Sequence, residues 1–367
     1  MAIFPKISLG DMLVFYNGKA IKPKGIGQYP VYGANGIIGG DDNSNFSNGI
    51  VIGRVGAYCG SVQYCCGKFW ASDNTIVVKQ KTNGHDIRFL YYLLGLQNLN
   101  NYAGGAAQPL VTQTVLKQVE AFCPPLPTQR KIAAILSAYD DLIENNLRRI
   151  KILEEMAQNL YREWFVKFRF PGHEQARFVD SPLGRIPEGW EGKKLGEILE
   201  LKYGKALKQE NRQGGNVPVY GSSGIVGYHN VHLVNGPGIV IGRKGNVGSV
   251  YWSEKSFYPI DTAYFVSSEM PLRFLFYDLQ TKNFLNNDAA VPGLNRNQAH
   301  SLETVIPPED ILRRFCCFAD DFEQQAALLR IKNTTLRRTR DMLLPRLISG
   351  EVNVSELDIA IPEEAVA

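Results

Sequence analysis

Two long stretches of the chain place apolar residues at alternating steps of four and three, the spacing of a helix that buries one narrow stripe. The stripe of the first stretch consists of Ile132, Leu136, Tyr139, Ile143, Asn146, Ile150, Leu153, Ala157, Leu160 and Trp164. The second stretch keeps the spacing but becomes more polar toward its end, and its stripe consists of Ile311, Phe315, Phe318, Phe322, Gln325, Leu329, Lys332, Leu336, Thr339 and Leu343. We therefore expect two long helices that bury these stripes against each other, in an antiparallel or crossed pair.

Each stripe carries a polar residue near its middle, Asn146 in the first and Gln325 in the second. A buried polar residue at such a position costs stability but fixes the register, so Gln325 is a candidate partner for Asn146. We expect Pro171 and Gly172 to end the first helix and Pro345 to break the second. The predicted seam of the pair consists of Ile143, Asn146, Ile150, Leu153, Phe322, Gln325, Leu329 and Leu336.

A helix of roughly 35 to 40 residues spans about 50 to 60 Å, so a helix pair of this length would hold two globular domains apart as a spacer. The alternative is that each helix packs flat on its own domain.

The segment before each long helix has a different pattern. Residues 7–122 and 195–306 are rich in glycine, tyrosine and short β-branched runs, which predicts short strands joined by Gly and Asn turns. Residues 87–96 and 272–279 carry apolar residues at a period near 3.6, which predicts a helix packed on the strands of each segment. The expected fold class is α+β.

The chain repeats itself at an interval of about 185 residues. The segment Tyr29-Pro-Val-Tyr-Gly-Ala-Asn-Gly-Ile-Ile-Gly39 recurs as Val217-Pro-Val-Tyr-Gly-Ser-Ser-Gly-Ile-Val-Gly227. Further matches, in the same order, are Leu9-Gly-Asp11 with Leu195-Gly-Glu197, Lys19-Ala-Ile-Lys22 with Lys205-Ala-Leu-Lys208, Ile50-Val-Ile-Gly-Arg54 with Ile239-Val-Ile-Gly-Arg243, Gly60-Ser-Val62 with Gly248-Ser-Val250, and Pro124-Pro125 with Pro307-Pro308.

The repeat and the change of pattern within it predict six segments. These are a globular domain at 1–123, a spacer helix at 124–170, a connector at 171–190, a second globular domain at 191–306, a second spacer helix at 307–350 and a C-terminal tail at 351–367.

Composition narrows the function classes. A chain of 367 residues with 44% hydrophobic and 21% charged residues is ordinary for a globular protein, and a net charge of +4 permits nucleic-acid binding without requiring it. The sequence has no apolar run of membrane-spanning length and no signal-peptide pattern at its start, so we expect a cytoplasmic protein. The cysteines show no zinc-site spacing and are expected to be reduced, and His229 and His232 lack a nearby third ligand. No metal site and no cofactor of the chain's own are predicted.

Motifs of catalysis are missing as well. Methyltransferases that modify an exocyclic base nitrogen usually carry Asn/Asp-Pro-Pro-Tyr/Phe, but here Cys123 and Leu126 flank the first Pro-Pro pair, and Ile306 and Glu309 flank the second. Asp180 with Glu191 and Lys193 mimics a nuclease spacing, but Asp180 lies in the Pro/Gly-rich connector and the other two residues directly follow it, so chance is the better explanation. The sequence therefore predicts a protein without catalytic residues.

Binding chemistry remains. Reading DNA requires cations for the phosphates, and amides, guanidinium groups or planar side chains for the base edges. Basic side chains in loops could meet phosphates, although solvated turns explain them as well. These candidates are Lys19, Lys22, Lys24, Lys205, Lys208 and Arg212.

Arg54 and Arg243 each follow an apolar strand, and both copies keep them, which favours a structural or phosphate-binding role over base reading. Positions that differ between the copies are better candidates for specificity: Asn35 against Ser223, Tyr58 against Asn246, Gln63-Tyr64 against Tyr251-Trp252, and Gln113 against Arg296. Two loops that carry amides, 104–109 and 287–297, are suited to folding against DNA. The candidates in and beside these elements also include Gln108, Thr112, Lys244 and Asn295.

Taken in order, the repeated motifs resemble the specificity subunits of type I restriction-modification systems over nearly the full chain. The resemblance is carried by the Tyr-Gly-x-x-Gly-Ile-x-Gly turns at Tyr32 and Tyr220, the Ile-Gly-Arg strands ending at Arg54 and Arg243, Pro124-Pro-Leu-Pro-Thr-Gln-Arg-Lys-Ile132, Ile186-Pro-Glu-Gly-Trp190 and Leu344-Pro-Arg-Leu-Ile-Ser-Gly-Glu351. The second copy departs from this pattern with Glu309-Asp-Ile-Leu-Arg-Arg314 after its Pro-Pro pair, so the two partner-docking surfaces are not expected to be identical.

The resemblance implies two target-recognition domains, each of which reads one half of a split double-stranded DNA target. It also implies that the helices set the spacing and dock two methyltransferase subunits, to which restriction and translocation subunits can be added. Methyl donor, ATP and magnesium would then belong to those partners. Two alternatives stay open from the residues: a scaffold whose duplicated domains bind something other than DNA, and a stand-alone methyltransferase or nuclease with unrecognised motifs.

Overall fold

The computed structural model describes residues 4–105, 108–284 and 293–361. The chain divides into two compact units: unit 1 combines residues 1–147 with residues 330–367, and unit 2 contains residues 148–329. Each of the two long helices contributes residues to both units.

The first copy of the repeat begins with short strands and ends in the first long helix. Its strands are β1 (Lys6–Ser8), β2 (Leu13–Asn17), β3 (Tyr29–Gly33), β4 (Gly36–Asp41), β5 (Phe46–Gly53), β6 (Val62–Ala71), β7 (Thr75–Gln80) and β8 (Glu120–Phe122). Its helices are α1 (Leu9–Met12), α2 (Ile87–Leu96), α3 (Gln113–Gln118) and the long α4 (Leu126–Tyr161).

A hairpin of β9 (Phe178–Ser181) and β10 (Gly184–Pro187) lies between the copies. The strands of the second copy are β11 (Glu191–Lys194), β12 (Glu200–Tyr203), β13 (Val217–Gly221), β14 (Gly224–His229), β15 (Gly238–Gly242), β16 (Val250–Ser253), β17 (Tyr258–Pro259), β18 (Ala263–Ser267) and β19 (Glu303–Ile306). Its helices are α5 (Leu195–Ile198), α6 (Leu272–Gln280), α7 (Arg296–Ser301) and the long α8 (Glu309–Ser349).

The two copies share one strand topology. Unit 1 has a six-stranded sheet in the order β2-β7-β5-β6-β3-β4, and unit 2 has a four-stranded sheet, β12-β18-β15-β16, and a three-stranded sheet, β14-β13-β17. The copies differ because the ten residues of β6 pair with both β5 and β3, whereas the corresponding run in unit 2 is divided into β16 and β17. The predicted α+β class and the duplication are confirmed.

The central strand of each sheet is buried on both faces, which explains its unbroken apolar run. In β5, Ile50 and Ile52 face the main core with Phe89 of α2, and Val51 faces a smaller cluster with Phe69. The corresponding strand β15 divides its apolar residues between two clusters in the same way. The helices predicted at 87–96 and 272–279 are those that cover this sheet.

In unit 1, the first half of α4 lies antiparallel to the second half of α8. Asn146 donates a hydrogen bond from Nδ2 to Oδ1 of Asn333 at 2.8 Å, and Asn333 Nδ2 donates to the carbonyl of Ile143 at 3.3 Å. Two turns further along, Arg340 forms an ion pair with Asp140. Both asparagines are buried, so each satisfies part of the hydrogen-bonding capacity of the other.

In unit 2, the remaining parts of α4 and α8 are also antiparallel. Ile150 and Leu153 pack against Ala326 and Leu329, and the continuation of α4 reaches Phe315 through Trp164, whose ring centroid is 6.2 Å from that of Phe315. The antiparallel pairing predicted for the long helices is therefore present within each unit.

The partner predicted for Asn146 is wrong. Gln325 is exposed, as are Phe318 and Lys332 of the same predicted stripe. The buried residues lie one position later, at Ala319, Ala326 and Asn333, and alternate with Phe315, Phe322, Leu329 and Leu336. Small and polar residues occupy half of this stripe, so the apolar pattern alone gave the correct period but placed every second position one residue too early.

Pro345 does not break α8, which continues to Ser349. The residue lies on an exposed face, and the carbonyl that loses its helical donor belongs to Asp341, which is also exposed and can be hydrated. Beyond it, Leu347 and Ile348 are buried in the core of unit 1 and hold the last turn. The first helix, by contrast, ends before the predicted stop at Pro171. The helix α4 ends at Tyr161 and passes into one π-helical turn at Arg162–Val166.

The asparagine pair makes a testable contribution to register. Replacing Asn146 alone with Leu is expected to cost about 1–3 kcal/mol of unfolding free energy, because the buried amide of Asn333 loses its partner. Replacing both asparagines with Leu should cost less than the sum of the single changes, since no orphaned amide remains. Urea unfolding of the four members of this cycle measures the coupling, and the exposed neighbour Asn145→Leu is the matched control. Strictly additive single effects would contradict the pairing.

Two expectations about chemical class can be compared with the structure. All six cysteines are free thiols, and Cys59, Cys65 and Cys123 are buried. Among the helices of the described ranges, none combines the length and the apolar character needed to span a bilayer.

Candidate nucleic-acid interface

An arginine follows the central strand in each unit and is held by the same backbone contacts. Arg54 N donates to the carbonyl of Asn74 at 2.9 Å, and the Arg54 carbonyl accepts from Val111 N at 3.0 Å. In unit 2, Arg243 N donates to the carbonyl of Thr262 at 2.9 Å, and its carbonyl accepts from Leu294 N at 2.8 Å. The two arginines therefore occupy equivalent places, where the strand end meets the loop before a short helix.

The glycine before each arginine is required by close packing. A Cβ on Gly53 would lie 2.4 Å from the carbonyl oxygen of Tyr58, and a Cβ on Gly242 would lie 2.1 Å from that of Asn246. These distances are shorter than any van der Waals contact, so only glycine allows the following loop to fold back over the strand end. The repeated Gly-Arg motif thus positions the loops that carry Tyr58 and Asn246.

In unit 2, the side chain of Arg243 belongs to a cluster of aromatic and cationic groups. Its guanidinium carbon lies 4.8 Å from the ring centroid of Tyr203 and 5.7 Å from that of Tyr264, and Nη1 donates to the carbonyl of Asp261 at 3.0 Å. The guanidinium carbon of Arg296 lies 5.4 Å from the Tyr203 ring. The Tyr264 hydroxyl lowers the pKa of Tyr203, and Arg243 and Arg296 add to this effect. Cations therefore flank an exposed aromatic ring.

In unit 1, the equivalent positions carry amides. Gln113, like Arg296, is the first residue of a short helix, and Asn17, like Tyr203, is the last residue of an edge strand. Gln113 Nε2 donates to Asn17 Oδ1 at 2.8 Å. The sequence comparison found Gln113 and Arg296 but missed Asn17 and Tyr203. Their signal was available, because both directly precede the repeated Gly-Lys-Ala and differ between the copies.

The turn between the third and fourth strands of each copy also lies beside this region. Asn35 and Ser223 are exposed at the turn. In unit 2, the hydroxyl of Tyr251 donates to the carbonyl of Ser222 at 3.4 Å and accepts from Asn246 Nδ2 at 3.3 Å. In unit 1 the amide of Gln63 lies next to Gly36, and Tyr58 is 60% exposed.

The structure does not bring Tyr64 and Trp252 to these clusters. Tyr64 points to the other face of the sheet, where its ring lies 5.8 Å from Tyr91 of α2 and the Arg88 guanidinium lies over it at 5.6 Å. Trp252 packs in the same way against α6, with Arg273 at 3.8 Å and with Nε1 donating to Glu254 at 2.6 Å. These aromatic rings are parts of the sheet–helix packing, so we do not retain them as base readers.

The predicted phosphate contacts divide into two groups. Lys24 forms an ion pair with Asp42 at 3.0 Å, and Lys208 forms one with Glu210 at 3.6 Å. Arg212 donates from Nη1 to the carbonyl of Val226 at 2.6 Å, so it clamps the β13–β14 hairpin. Three of the candidates, Lys19, Lys22 and Lys205, are exposed, as is Lys244 beside Arg243, and no ion pair joins any of these four to another residue of the described ranges.

Thr112 and Asn295 act as helix caps. Thr112 Oγ1 accepts from Val115 N at 3.4 Å, and Asn295 Oδ1 accepts from Asn297 N at 2.9 Å. Each cap fixes the residue that follows it, which is Gln113 or Arg296. Gln108 is exposed. Within the two predicted amide loops, 104–109 and 287–297, residues 106–107 and 287–292 lie outside the described residues.

Across the described ranges, no group of three or more His, Cys, Asp or Glu side chains could hold a metal ion. The geometry that the two units share is a fixed loop edge that presents amides, guanidinium groups and exposed rings.

Comparison with known proteins gives a consistent result. Residues 4–155 and 187–335 match the family model of the type I restriction modification DNA specificity domain. The type I restriction enzyme MjaIX specificity subunit of Methanocaldococcus jannaschii is 27% identical over 306 residues, which cover 73% of this chain and 70% of that protein. The EcoprrI specificity subunit of Escherichia coli is 35% identical over 132 residues, 36% of this chain and 33% of that protein.

A solved structure extends the likeness to the whole fold. The crystal structure of a type I restriction-modification system S subunit from M. genitalium superposes with a TM-score of 0.61 at 19% identity, and the match covers 94% of this chain and 96% of that one.

Proposed function

Since the chain belongs to the type I restriction-modification DNA specificity family, we propose that it reads a split double-stranded DNA target, one half with each target-recognition domain. The chain is a specificity subunit and not itself an enzyme: it confers specificity on partner methyltransferase and nuclease subunits. We propose that methyl donor, ATP and magnesium belong to those partners. The proposed location of the chain is the cytoplasm, where these partners would act on DNA.

The observation that carries the proposal is the pair of matched loop edges. Each unit fixes an arginine, a short helix and a strand end by the same backbone hydrogen bonds, yet the side chains presented there differ between the units. A protein that reads two different half-sites needs this combination, because the framework must follow the same groove while the reading groups change. A scaffold that binds two copies of one ligand would have no reason to vary these positions.

Candidate phosphate contacts lie beside each edge. Lys19 and Lys22 in unit 1, and Lys205 and Lys244 in unit 2, are exposed cations in loops. Contacts of this kind position a protein on the duplex without carrying sequence information. We assign them that role, and we retain Arg54 and Arg243 as clamps of the loop edge.

The long helices are proposed to dock two methyltransferase subunits and, through them, restriction and translocation subunits. Large apolar side chains stay exposed along both helices. In unit 1 these include Leu142, Leu147, Ile331 and Met342, and in unit 2 they include Ile152, Met156, Phe318 and Leu328. A protein–protein interface buries apolar side chains of this kind where they form a contiguous patch, and we assign that role to the exposed faces of the helices.

The test is base-resolution mapping of adenine methylation in cells that express this chain together with the methyltransferase subunit of its own system. The control expresses the methyltransferase alone. We expect a new split motif that appears only when the chain is present. Absence of a new motif, with stable co-purification of the two proteins, would overturn the DNA-reading role in favour of a scaffold.

A further inference from the structure

One pair of facing side chains differs between the two units, although the backbone that carries the pair is the same in both. The strand residue of the pair is fixed by the glycine turn that follows it. Gly18 N donates to the carbonyl of Thr75 at 3.2 Å, and Gly204 N donates to that of Ala263 at 3.1 Å. A Cβ on Gly18 would lie 1.9 Å from the carbonyl oxygen of Ser72, and a Cβ on Gly204 would lie 2.2 Å from that of Ile260. Asn17 and Tyr203, which precede these glycines, therefore occupy the same place.

The helix residue of the pair is also fixed by backbone contacts. Gln113 and Arg296 each follow a capping residue, and before the cap a backbone N–H is bonded to the carbonyl of Arg54 or Arg243. Both members are thus held by main-chain contacts that do not depend on which side chains they carry.

The two members form a matched pair in each unit, but with different chemistry. In unit 1 the pair is two amides joined by a hydrogen bond of 2.8 Å between Gln113 and Asn17. In unit 2 it is a cation and a ring, with the guanidinium carbon of Arg296 5.4 Å from the centroid of Tyr203. The strand residue and the helix residue differ between the copies together, which is expected if they act as one unit.

Each pair leaves a defined set of hydrogen-bonding groups for a ligand. Gln113 gives one N–H to Asn17 and keeps its carbonyl oxygen and its second N–H, a donor and an acceptor side by side. That set complements the N7 acceptor and N6 donor of adenine in the major groove. Arg296 offers donors only, which complement the O6 and N7 acceptors of guanine, and the ring of Tyr203 supports its plane.

On the basis of the proposed function, we infer that these pairs are specificity-determining: Gln113 oriented by Asn17 reads an adenine in the half-site of unit 1, and Arg296 oriented by Tyr203 reads a guanine in the half-site of unit 2. Asn17 and Tyr203 are positioning residues, and Gln113 and Arg296 contact the bases.

The experiment exchanges the pairs. The double variant Asn17→Tyr/Gln113→Arg is co-expressed with the methyltransferase subunit, and the methylated motif is mapped. At one position of one half-site, the preference should move from adenine to guanine by roughly 5- to 150-fold, the discrimination of one bidentate contact. The other half-site should not change. The reciprocal variant Tyr203→Asn/Arg296→Gln should act on the other half-site in the opposite sense.

Matched variants separate reading from charge and folding. Gln118→Arg places the same charge at the exposed far end of α3 and should leave the motif unaltered. Gln113→Arg without Asn17→Tyr should shift the preference less than the double variant, because the guanidinium lacks its ring. Co-purification with the methyltransferase shows that each variant is folded.

The outcomes are distinct. A wild-type chain that produces no split motif contradicts the proposed function itself. A wild-type split motif that the folded exchange variants leave unaltered overturns the inference and leaves the proposed function standing. If an exchange variant methylates nothing, Asn17→Ala/Gln113→Ala decides: lost discrimination at a single position supports the inference, and an unchanged motif or a change at many positions overturns it.

Discussion

Removing one heptad from each long helix is expected to shorten the unread spacer of the DNA target by about three base pairs and to leave both half-sites unchanged. The segments to remove are 146–152 of α4 and 327–333 of α8. A heptad is two turns of a paired helix, so its removal keeps the phase of the buried stripes. Seven residues at about 1.5 Å correspond to roughly 10 Å, and one base pair of DNA rises about 3.4 Å.

The choice of segments follows from the contacts within each unit. Asn146 lies against Asn333 in unit 1, and Leu153 belongs to the cluster that contains Ala326 in unit 2. The two deleted segments therefore end at matched positions, and the residues that become neighbours keep their antiparallel partners. Methylation mapping measures the result, since it gives the number of unspecified bases between the half-sites.

A deletion in one helix only is the matched control. Removing 146–152 from α4 alone would take Asn146 from Asn333 and leave a buried amide without its partner, so we expect a poorly folded chain and no motif. A double deletion that changes the half-site sequences themselves would contradict the assignment of the helices as the spacer. A double deletion that methylates the wild-type motif with its wild-type spacing would contradict it as well.

The parts of this fold that the sequence predicted are those with strong periodicity. The two long helices and the shorter helices at 87–96 and 272–279 follow from local spacing, and the structure contains all four. The phase of α8 was not recoverable in the same way. Ala319, Ala326 and Asn333 are buried because they face another helix, and nothing in their own residue types marks them as interior positions.

The candidate site shows a second limit. Asn17 and Gln113 are 96 residues apart in the sequence. They meet because only β7 separates β2 from β5 in the sheet, and Val111, just before α3, is bonded to Arg54 at the end of β5. Lys24 and Arg212 looked like phosphate contacts because only their residue types were known. The ion pair with Asp42 and the bond to the Val226 carbonyl are tertiary facts. The repeated sequence motifs thus identified the loops, and only the folded chain shows which of their side chains already have a partner within the protein.

The departure of the second copy from the Leu-Pro-x-Gln pattern has a structural counterpart at Gln129. This side chain is 1% exposed at the beginning of α4. Its Oε1 accepts from Asp86 N at 2.9 Å, and its Nε2 donates to the carbonyl of Pro124 at 2.8 Å. Gln129 therefore ties the long helix to the residue that caps α2. In the second copy the corresponding residue is Leu312, and the residue before α6 is Pro271, which has no N–H that needs an acceptor.

Gln129→Leu is expected to lower the unfolding free energy by about 2–4 kcal/mol, because it leaves the buried Asp86 N–H without its acceptor and the Pro124 carbonyl with only the Cys123 thiol at 3.8 Å. Adding Asp86→Pro copies the second unit and removes the orphaned N–H, which should recover about 1 kcal/mol or more of the unfolding free energy. The same change removes the Asp86 side chain that caps Phe89 N, so the net recovery is smaller by the cost of that cap. Urea unfolding gives the magnitude, and amide exchange in α2 shows where the loss occurs.

Leu312→Gln is the reciprocal test in unit 2. An amide at this buried position would lie in an apolar cluster, and Pro271 has no N–H to offer its oxygen. The side chain that is native at the corresponding position of unit 1 should therefore destabilise unit 2 by about 1–3 kcal/mol. A change of less than about 0.5 kcal/mol on Gln129→Leu is the size expected for a surface substitution. Such a result would show that the hydrogen bonds of Gln129 between α4 and α2 do not stabilise the chain. If both Gln129→Leu and Leu312→Gln destabilise the chain, each copy attaches its long helix by contacts that suit its own residue at this position. The altered motif of the second copy then does not imply a weaker helix there.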